Sequence, residues 1–265
     1  MAQRPSFPAR MDLSSRAAVA PKNIANSAVH TRARGQNDAK SGLTPAAQGH
    51  GLDSQMVRER MVKKLAHQGI THPDLLAAMG AIERHRFVDS ALVNQAYEDT
   101  SLPIGLGQTI SKPNVVARMI ELLLQGEGAI KMGRVLEVGT GCGYQAAVLG
   151  RLAREVYSIE RLRGLHDKAR GNLRPFRLAN VHLLFGDGMQ GYAKGAPYAG
   201  IIAAAGGSAI PQAWIDQLAV GGRIVAPMET AAGQQALVVV DKLERGLKHS
   251  VLEAVHFVPL KSGIA

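Results

Sequence analysis

The chain has 265 residues, of which 46% are hydrophobic, and it carries a formal net charge of +10. This length suits one large domain or two small ones, and no run of about 18 apolar residues occurs, so the sequence predicts no membrane-spanning helix. Cys142 is the only cysteine, which excludes an intrachain disulfide and argues against a zinc site built on cysteines. A single cysteine is typical of a protein of the reducing cytoplasm.

Residues 1–50 hold half of the net positive charge, with seven Lys/Arg against Asp12 and Asp38. This segment is rich in Ala, Ser, Arg, Pro and Gly and shows no sustained helix or strand period, so we predict a disordered basic extension. Its composition also resembles that of an organelle transit peptide, although a species-specific tail or an early start codon is the simpler interpretation. Basic residues elsewhere are scattered, so we expect no dedicated nucleic-acid surface.

Residues 51–130 are predicted to form helices and one functional loop. Asp53-Ser54 offers an N-cap for a first helix, and Pro73 opens a second. A third helix starts at Pro113 and carries apolar residues at helical spacing. The segment LPIGLGQTIS, residues 102–111, precedes this helix and is predicted to be a loop.

From residue 131 to residue 265, predicted strands alternate with predicted helices. The strands are RVLEVG, EVYSIE, VHLLF, YAGIIAAA, GRIVAP, QALVVVD and VLEAVHF, and the helices are YQAAVLGRLA, RLRGLHDKARGNL and PQAWIDQLA. Such alternation implies parallel βαβ units, and the last strands add an antiparallel edge. We therefore expect a single α/β domain over residues 51–265, with a mostly parallel central sheet and helices on both faces.

The stretch VLEVGTGCGYQ places Gly139, Gly141 and Gly143 directly between a strand and a helix. Glycines at this position permit a tight turn and the close approach of a ligand to the backbone. The dinucleotide pattern G-x-G-x-x-G requires a glycine where this chain has Tyr144. The turn therefore fits a nucleoside without a pyrophosphate, such as S-adenosylmethionine (SAM), better than it fits a dinucleotide.

Two further strand ends supply groups that suit the same ligand. Glu160 ends the second strand, where a carboxylate can accept both ribose hydroxyls, and Asp187-Gly188 ends the third, where an adenine ring would lie. Each has a simpler alternative, since Glu160 could cap the next helix and Asp187 could stabilise a turn. Their order at successive strand ends favours a SAM site.

Other conspicuous side chains are interpreted as structural. Cys142 has no predicted base beside it and is expected to fill space on the glycine turn. Trp214 and Tyr198 are expected to pack in the core. The histidines lack metal-ligand spacing, so we predict no metal site; these are His85, His166, His182 and His256.

The chain resembles the protein-L-isoaspartate O-methyltransferase family. The matching stretches run in family order from about Gln55 to Leu260 and are RFVD, LPIGLGQTIS, VARMIELL, VLEVGTGCGYQAAVL, VYSIERLRGL, GDGMQGY, APY, IPQAWIDQL, GGRIVAP and VHFVPL. The glycine turn alone would indicate only a class I methyltransferase, whereas LPIG-x-GQTIS is specific to this family.

The resemblance implies a Rossmann-like methyltransferase that uses SAM as methyl donor and the free α-carboxylate of L-isoaspartyl residues in damaged proteins as acceptor. The ester product would collapse to a succinimide. The family's active-site serine falls on Ser111. The implied SAM contacts are Glu137, Gly139, Thr140, Gly141, Gly143, Glu160, Asp187 and Gly188, and the implied substrate contacts are Ile104, Gln108, Thr109 and Ile110. We further expect a cytoplasmic monomer that does not bind membranes.

This chemistry explains why residues 102–111 contain neither an acid nor a base. A carboxylate acceptor is already ionised at neutral pH, and a sulfonium donor leaves as a neutral thioether, so the reaction requires positioning and not proton transfer. Thr109 and Ser111 can supply neutral donors to the acceptor. From the residues alone, Ser111 is more simply interpreted as the N-cap of the helix at Pro113; the resemblance favours the catalytic role.

Several positions depart from the family pattern. Cys142 stands where serine is common, and Ala199 stands where aspartate is usual. Ala203-Ala204 replaces Val-Thr, Gly206-Gly207 replaces bulkier residues, and Met228-Glu229 replaces Val-Gly. We expect Ala199 and Ala203-Ala204 to border the acceptor site, which puts peptide selectivity in doubt. The alternatives are a methyltransferase of this fold acting on a dedicated peptide aspartate or a tRNA, or a weakly active SAM-binding protein.

Overall fold

The computed structural model describes residues 55–126, 133–230 and 233–265. All of these fall in one compact unit. The predictions for residues 1–50 and for an N-cap at Asp53-Ser54 lie outside the described residues. Within the described ranges, no helix is both long enough and apolar enough to cross a bilayer.

The elements follow the predicted alternation of strands and helices. The N-terminal part comprises α1 (Gln55–His67), α2 (Pro73–Ala81), β1 (Leu102–Gly105), β2 (Gln108–Ile110) and α3 (Pro113–Leu124). The remainder comprises β3 (Arg134–Val138), α4 (Tyr144–Leu149), β4 (Glu155–Glu160), α5 (Arg163–Leu173), β5 (Val181–Phe185), β6 (Tyr198–Ala203), α6 (Gln212–Gln217), β7 (Leu218–Glu229), β8 (Gln235–Lys242) and β9 (Leu247–Val255).

The main sheet has seven strands in the order β5-β4-β3-β6-β7-β8-β9. Strands β5, β4, β3, β6 and β7 pair with one another in parallel, whereas β8 pairs antiparallel with both β7 and β9. This arrangement confirms the predicted fold class. Val138 at the end of β3 lies opposite Ile159 of β4 and Ala203 of β6. The carboxyl ends of these three strands are therefore level, and the loops that follow them meet at one edge.

Two cores lie on the two faces of this sheet. Val135 of β3 packs into a cluster with side chains of α1 to α5, whereas its neighbour Leu136 packs into a second cluster with Trp214 of α6. Both β3 side chains are fully buried, as expected for a parallel strand covered on both sides. Helices therefore cover both faces of the sheet, with side chains of α1 to α5 on one face and of α6 on the other.

The segment predicted as a loop, residues 102–111, is instead a β-hairpin in which β1 and β2 pair antiparallel. Leu106 and Gly107 form its turn with φ of 52° and 68°. Positive φ at both central residues suits the twist of a two-residue hairpin, but Asn-Gly or Asp-Gly is the usual sequence for it. Leucine disfavours this conformation, so the local sequence did not indicate a hairpin.

Two other boundaries differ from the prediction. Helix α4 ends at Leu149 and not near residue 153, and β7 begins at Leu218, directly after α6. Both shifts lie at element ends, where short-range patterns define a boundary poorly.

Replacing Trp214 with alanine should lower the free energy of unfolding by about 3–5 kcal/mol, because a large buried side chain leaves a cavity. Trp214 is 0% exposed and its indole N–H donates to the Gly188 carbonyl at 2.8 Å. Urea denaturation measures the change. The control is Val251→Ala at a side chain that is 65% exposed, with an expected change within about 0.5 kcal/mol. Equal losses in both variants would contradict the assignment of Trp214 to the core.

Candidate functional site

A cavity of about 420 Å³ opens at the level carboxyl ends of β3, β4 and β6. Its volume lies within the range of about 300–1,000 Å³ that is usual for small-molecule sites. Three parts of the chain form its walls: the glycine turn after β3, the hairpin β1–β2, and a C-terminal segment, residues 258–261. The position agrees with the rule that ligands of open α/β sheets bind beyond the carboxyl ends of the strands.

The glycine turn is held against the end of β4. The N–H groups of Gly139 and Thr140 both donate to the Ile159 carbonyl, at 2.9 and 3.2 Å. Gly141 has a φ of 56°, and a Cβ at this position would lie 3.2 Å from Cδ1 of Ile104 in the hairpin. Both the backbone conformation and the close contact therefore favour glycine here.

Glu160 is a buried carboxylate in the cavity wall, with 4% of the residue exposed. Its Oε2 accepts the Gly141 N–H at 2.9 Å, and its Oε1 accepts the Leu162 N–H at 2.9 Å. Leu162 is the residue before α5, so Glu160 does stabilise the start of that helix, as the simpler interpretation proposed. Each oxygen keeps a further acceptor site, which leaves the carboxylate able to accept ligand hydroxyls.

Glu137 is fully buried and is not among the residues that line the cavity. Its carboxyl accepts a hydrogen bond from the Ser158 hydroxyl, and Ser158 in turn lies 2.6 Å from the Thr140 hydroxyl. Burial raises the pKa of Glu137 to about 8 against the opposing effect of the Ser158 hydrogen bond, so the carboxyl is mainly neutral at pH 7. The geometry makes Glu137 a support for the turn; a direct SAM contact stays a prediction.

Two further predicted SAM residues are also absent from the cavity lining. Asp187 accepts the Met189 N–H at 2.9 Å and the Gly263 N–H at 2.8 Å, so its carboxylate stabilises a turn and fastens the C-terminal segment. Gly143 precedes α4 and supports its start. Gly188 does line the cavity. Ligand contacts by Asp187 and Gly143 stay predictions.

The hairpin brings every predicted catalytic and substrate residue to the cavity. The residues that line it are Ile104, Gln108, Thr109, Ile110 and Ser111. Lys112, and not Ser111, is the N-cap residue of α3, and the side chain that accepts an N–H of the first turn is that of Asp99, which binds the Asn114 N–H at 3.0 Å. The interpretation of Ser111 as a helix cap is therefore wrong, and its hydroxyl has no hydrogen-bond partner among the described residues.

The C-terminal part of the cavity wall was not predicted as part of the site. The Leu260 N–H donates to the Gly206 carbonyl at 2.7 Å, and the Gly206 N–H donates to the Val258 carbonyl at 2.8 Å. A Cβ on Gly206 would lie 2.4 Å from the Gln235 amide, so the departure to glycine at this position permits the close packing. The stretch VHFVPL was the only signal in the sequence that pointed to this segment.

The other departures from the family pattern fall at different places. Ala204 lines the cavity, as expected for a position bordering the site. The expectation for Ala199 is wrong, because it lies near the start of β6, with its Cβ 3.6 Å from the position that a Cβ on Gly133 would take, before β3. The position at which the family usually has an aspartate therefore lies at the end of the sheet opposite the cavity.

Cys142 and the histidines have the structural roles predicted for them. Cys142 is 3% exposed, and burial raises the pKa of its thiol to about 11, which keeps it neutral. The described histidines lie away from the cavity lining. Of these, His182 pairs with Glu155 and His85 with Tyr97.

Comparison with known proteins shows the family. Residues 56–265 match the family model described as protein-L-isoaspartate(D-aspartate) O-methyltransferase (PCMT). A protein-L-isoaspartate O-methyltransferase of Methylibium petroleiphilum is 57% identical over 98% of this chain and 96% of its own length. Another, of Leptothrix cholodnii, is 61% identical over 81% of this chain and 77% of its own length.

Solved structures agree with the fold. A structure of a protein-L-isoaspartate O-methyltransferase is 28% identical and superposes with a TM-score of 0.70 over 78% of this chain and 67% of its own. A Plasmodium falciparum protein described as an enzyme of this family, solved with S-adenosyl-L-homocysteine (SAH), is 23% identical with a TM-score of 0.65 over 77% of this chain and 98% of its own. The similarity to the Plasmodium falciparum protein supports only the fold.

Replacing Glu137 with glutamine should change the pH dependence of stability. Because burial raises the pKa of Glu137 from 4.5 to about 8, the folded state keeps a proton that the unfolded state releases. The stability contributed by the neutral acid is fully present below about pH 4.5 and is lost as the pH rises through about 8. Glu137→Gln stays neutral throughout, so its free energy of unfolding should rise relative to that of the native chain between these pH values.

Urea unfolding at intervals from about pH 5 to about pH 8 measures this difference. The matched control is Glu98→Gln, which removes one carboxylate from an exposed position. Parallel pH profiles for the two variants would contradict a neutral, buried Glu137.

Proposed function

The chain belongs to the protein-L-isoaspartate(D-aspartate) O-methyltransferase family, and on this premise we propose that it methylates the free α-carboxylate of L-isoaspartyl residues in proteins and peptides, with SAM as donor. The observation that carries the proposal is the contact of the Ser111 hairpin with the glycine turn, which joins a cofactor region and an acceptor region in one cavity. The methyl ester formed then collapses to a succinimide, from which normal aspartate can arise.

The cavity residues fit the donor. The glycine turn presents backbone without a side chain at Gly141, and the Glu160 carboxylate can accept the ribose hydroxyls with its remaining lone pairs. Gly188, in the 3-10 turn that follows β5, leaves room beside Val138, to which a Cβ would come within 2.4 Å. These residues would hold the nucleoside, while Glu137 and Asp187 hold the turns that carry them.

When bound, SAM supplies an activated methyl group on a sulfonium that leaves as a neutral thioether. A carboxylate oxygen of the acceptor forms the new C–O bond, and the electron pair of the broken S–C bond stays on sulfur. No proton is transferred, which matches a hairpin without an acid or base. Thr109 and Ser111 can donate hydrogen bonds to the acceptor carboxylate and orient one oxygen towards the methyl group.

The departures from the family pattern differ in whether they lie at the cavity, and therefore in whether they can affect peptide selectivity. Ala199 lies away from the cavity, so its loss of a carboxylate does not bear on acceptor binding. Ala204 and Cys142 both line the cavity, and each stands where the family pattern has a hydroxyl side chain. A monomeric state and a cytoplasmic location stay predictions.

The proposed substrate is tested with a matched pair of peptides that differ only in an L-isoaspartyl or an L-aspartyl linkage. We expect methyl transfer from labelled SAM to the isoaspartyl peptide and at least about a hundredfold less to the aspartyl peptide, because a displaced carboxylate loses its alignment with the methyl group. Equal labelling of both peptides, or labelling that depends on added RNA, would contradict the proposal.

Replacing Ser111 with alanine should lower kcat by about 10- to 100-fold, because the acceptor loses a positioned donor. The affinity for SAH should change less than about threefold, since Ser111 lies on the hairpin and not on the glycine turn. Peptide kinetics and calorimetry measure the two effects. Thr100→Ala, at an exposed hydroxyl outside the cavity, is the control. Loss of SAH binding in Ser111→Ala would show that the residue mainly supports the cofactor region.

A further inference from the structure

Arg84 is a buried cation that lacks an ion-pair partner among the described residues. It begins a short 3-10 turn, Arg84–Phe87, and is 0% exposed. Its Nε donates to the Ala96 carbonyl at 2.7 Å and its Nη2 donates to the Ser111 carbonyl at 2.8 Å. Its Nη1 is buried and has no hydrogen-bond partner within the described part of the chain.

The guanidinium lies behind the part of the cavity wall that Ser111 and Tyr144 form. Its Cζ is 4.9 Å from the centre of the Tyr144 ring. Tyr144 lines the cavity, as does Ser111, whose carbonyl Arg84 binds. The charge is therefore one layer of side chains away from the cavity, and Arg84 itself is not part of the lining.

Nearby acidic groups do not neutralise this charge by direct contact. Asp99 acts on Arg84 electrostatically, but its carboxylate accepts the Asn114 N–H at 3.0 Å. Glu160 lies in the wall of the same cavity, where its two oxygens accept backbone N–H groups. The cavity wall thus contains the Glu160 carboxylate, and behind Ser111 and Tyr144 lies a guanidinium that no carboxylate of the described residues contacts directly.

A buried charge without an ion-pair partner is energetically costly, because it loses its hydration. An anion that enters the neighbouring cavity offsets part of that cost, because electrostatic attraction is stronger in a region from which water is excluded. The acceptor of the proposed reaction is a carboxylate, and it would bind beside Ser111. A neutral side chain of similar size could fill the space, but it could not attract an anion.

We propose that Arg84 is a positioning residue for methyl transfer: its bond to the Ser111 carbonyl places the serine hydroxyl, and its charge biases the adjoining part of the cavity towards a carboxylate. This inference rests on the proposed function. It predicts two separable effects, one on the turnover of bound peptide and one on the affinity for the anionic acceptor.

The test compares Arg84→Met and Arg84→Lys with the native chain, with an L-isoaspartyl peptide varied at saturating SAM. Arg84→Met should raise the KM for the peptide about tenfold and lower kcat about tenfold, since it removes both the charge and the donors. Arg84→Lys keeps a charge but lacks the planar set of donors, so it should keep KM within about threefold while kcat falls. SAH should bind both variants at full stoichiometry.

The matched control is Arg223→Met, at a largely buried arginine that pairs with Asp241 and donates to the Leu122 carbonyl at 2.8 Å. Arg223 does not line the cavity. Its replacement should lower the urea midpoint and leave the peptide KM and kcat unchanged. This control separates the loss of a buried arginine in general from the loss of Arg84.

A purely structural role for Arg84 would lower the fraction of protein that binds SAH and leave the peptide KM unchanged, and that result overturns the inference. If Arg84→Met does not fold, Arg84→Lys decides: reduced kcat at full SAH stoichiometry supports the inference, and native kcat overturns it. A native chain without turnover on the isoaspartyl peptide overturns the proposed function, and the inference with it. If the native chain is active and the Arg84 variants have native kcat and peptide KM, the inference is overturned and the proposed function stands.

Discussion

The contact of Ile104 with Gly141 is the constraint on which the rest of the site depends. The hairpin approaches the glycine turn so closely that a Cβ on Gly141 would lie 3.2 Å from the Ile104 side chain. The Glu160 carboxylate holds the same turn from the other side through the Gly141 N–H. The glycine turn, for which we propose nucleoside binding, and the hairpin that carries Ser111 thereby share one cavity, as an in-line methyl transfer requires.

The hairpin reaches this position because several other parts of the chain fasten it. Lys168 of α5 donates to the Ile104 carbonyl at 2.8 Å, and Arg84 donates to the Ser111 carbonyl at 2.8 Å. The C-terminal segment closes the third side and is fastened by the Asp187 carboxylate at Gly263. The charged side chains around the cavity therefore bind backbone groups, and they position the cavity walls for a reaction that requires alignment and not proton transfer.

Much of the fold followed from local patterns. The alternation of apolar strands and amphipathic helices from residue 134 onwards predicted the parallel sheet, and the antiparallel strands β8 and β9 followed from the lack of long helices between them. The hairpin was missed because Leu106 occupies a left-handed conformation that leucine rarely adopts. Tertiary contacts with the glycine turn and α5 outweigh that local preference.

The sequence by itself determined the class of fold, the family, and which stretches bear the glycine turn, Glu160 and Ser111, because these depend on residue type and on spacing along the chain. Only the tertiary structure decided which of those residues face the cavity. In the folded chain, Asp187 binds the C-terminal segment and Glu137 is buried beneath the glycine turn. Ala199 lies at the end of the sheet far from the cavity, and Arg84 lies behind Ser111. These assignments depend on contacts between residues distant in sequence, which no local pattern encodes.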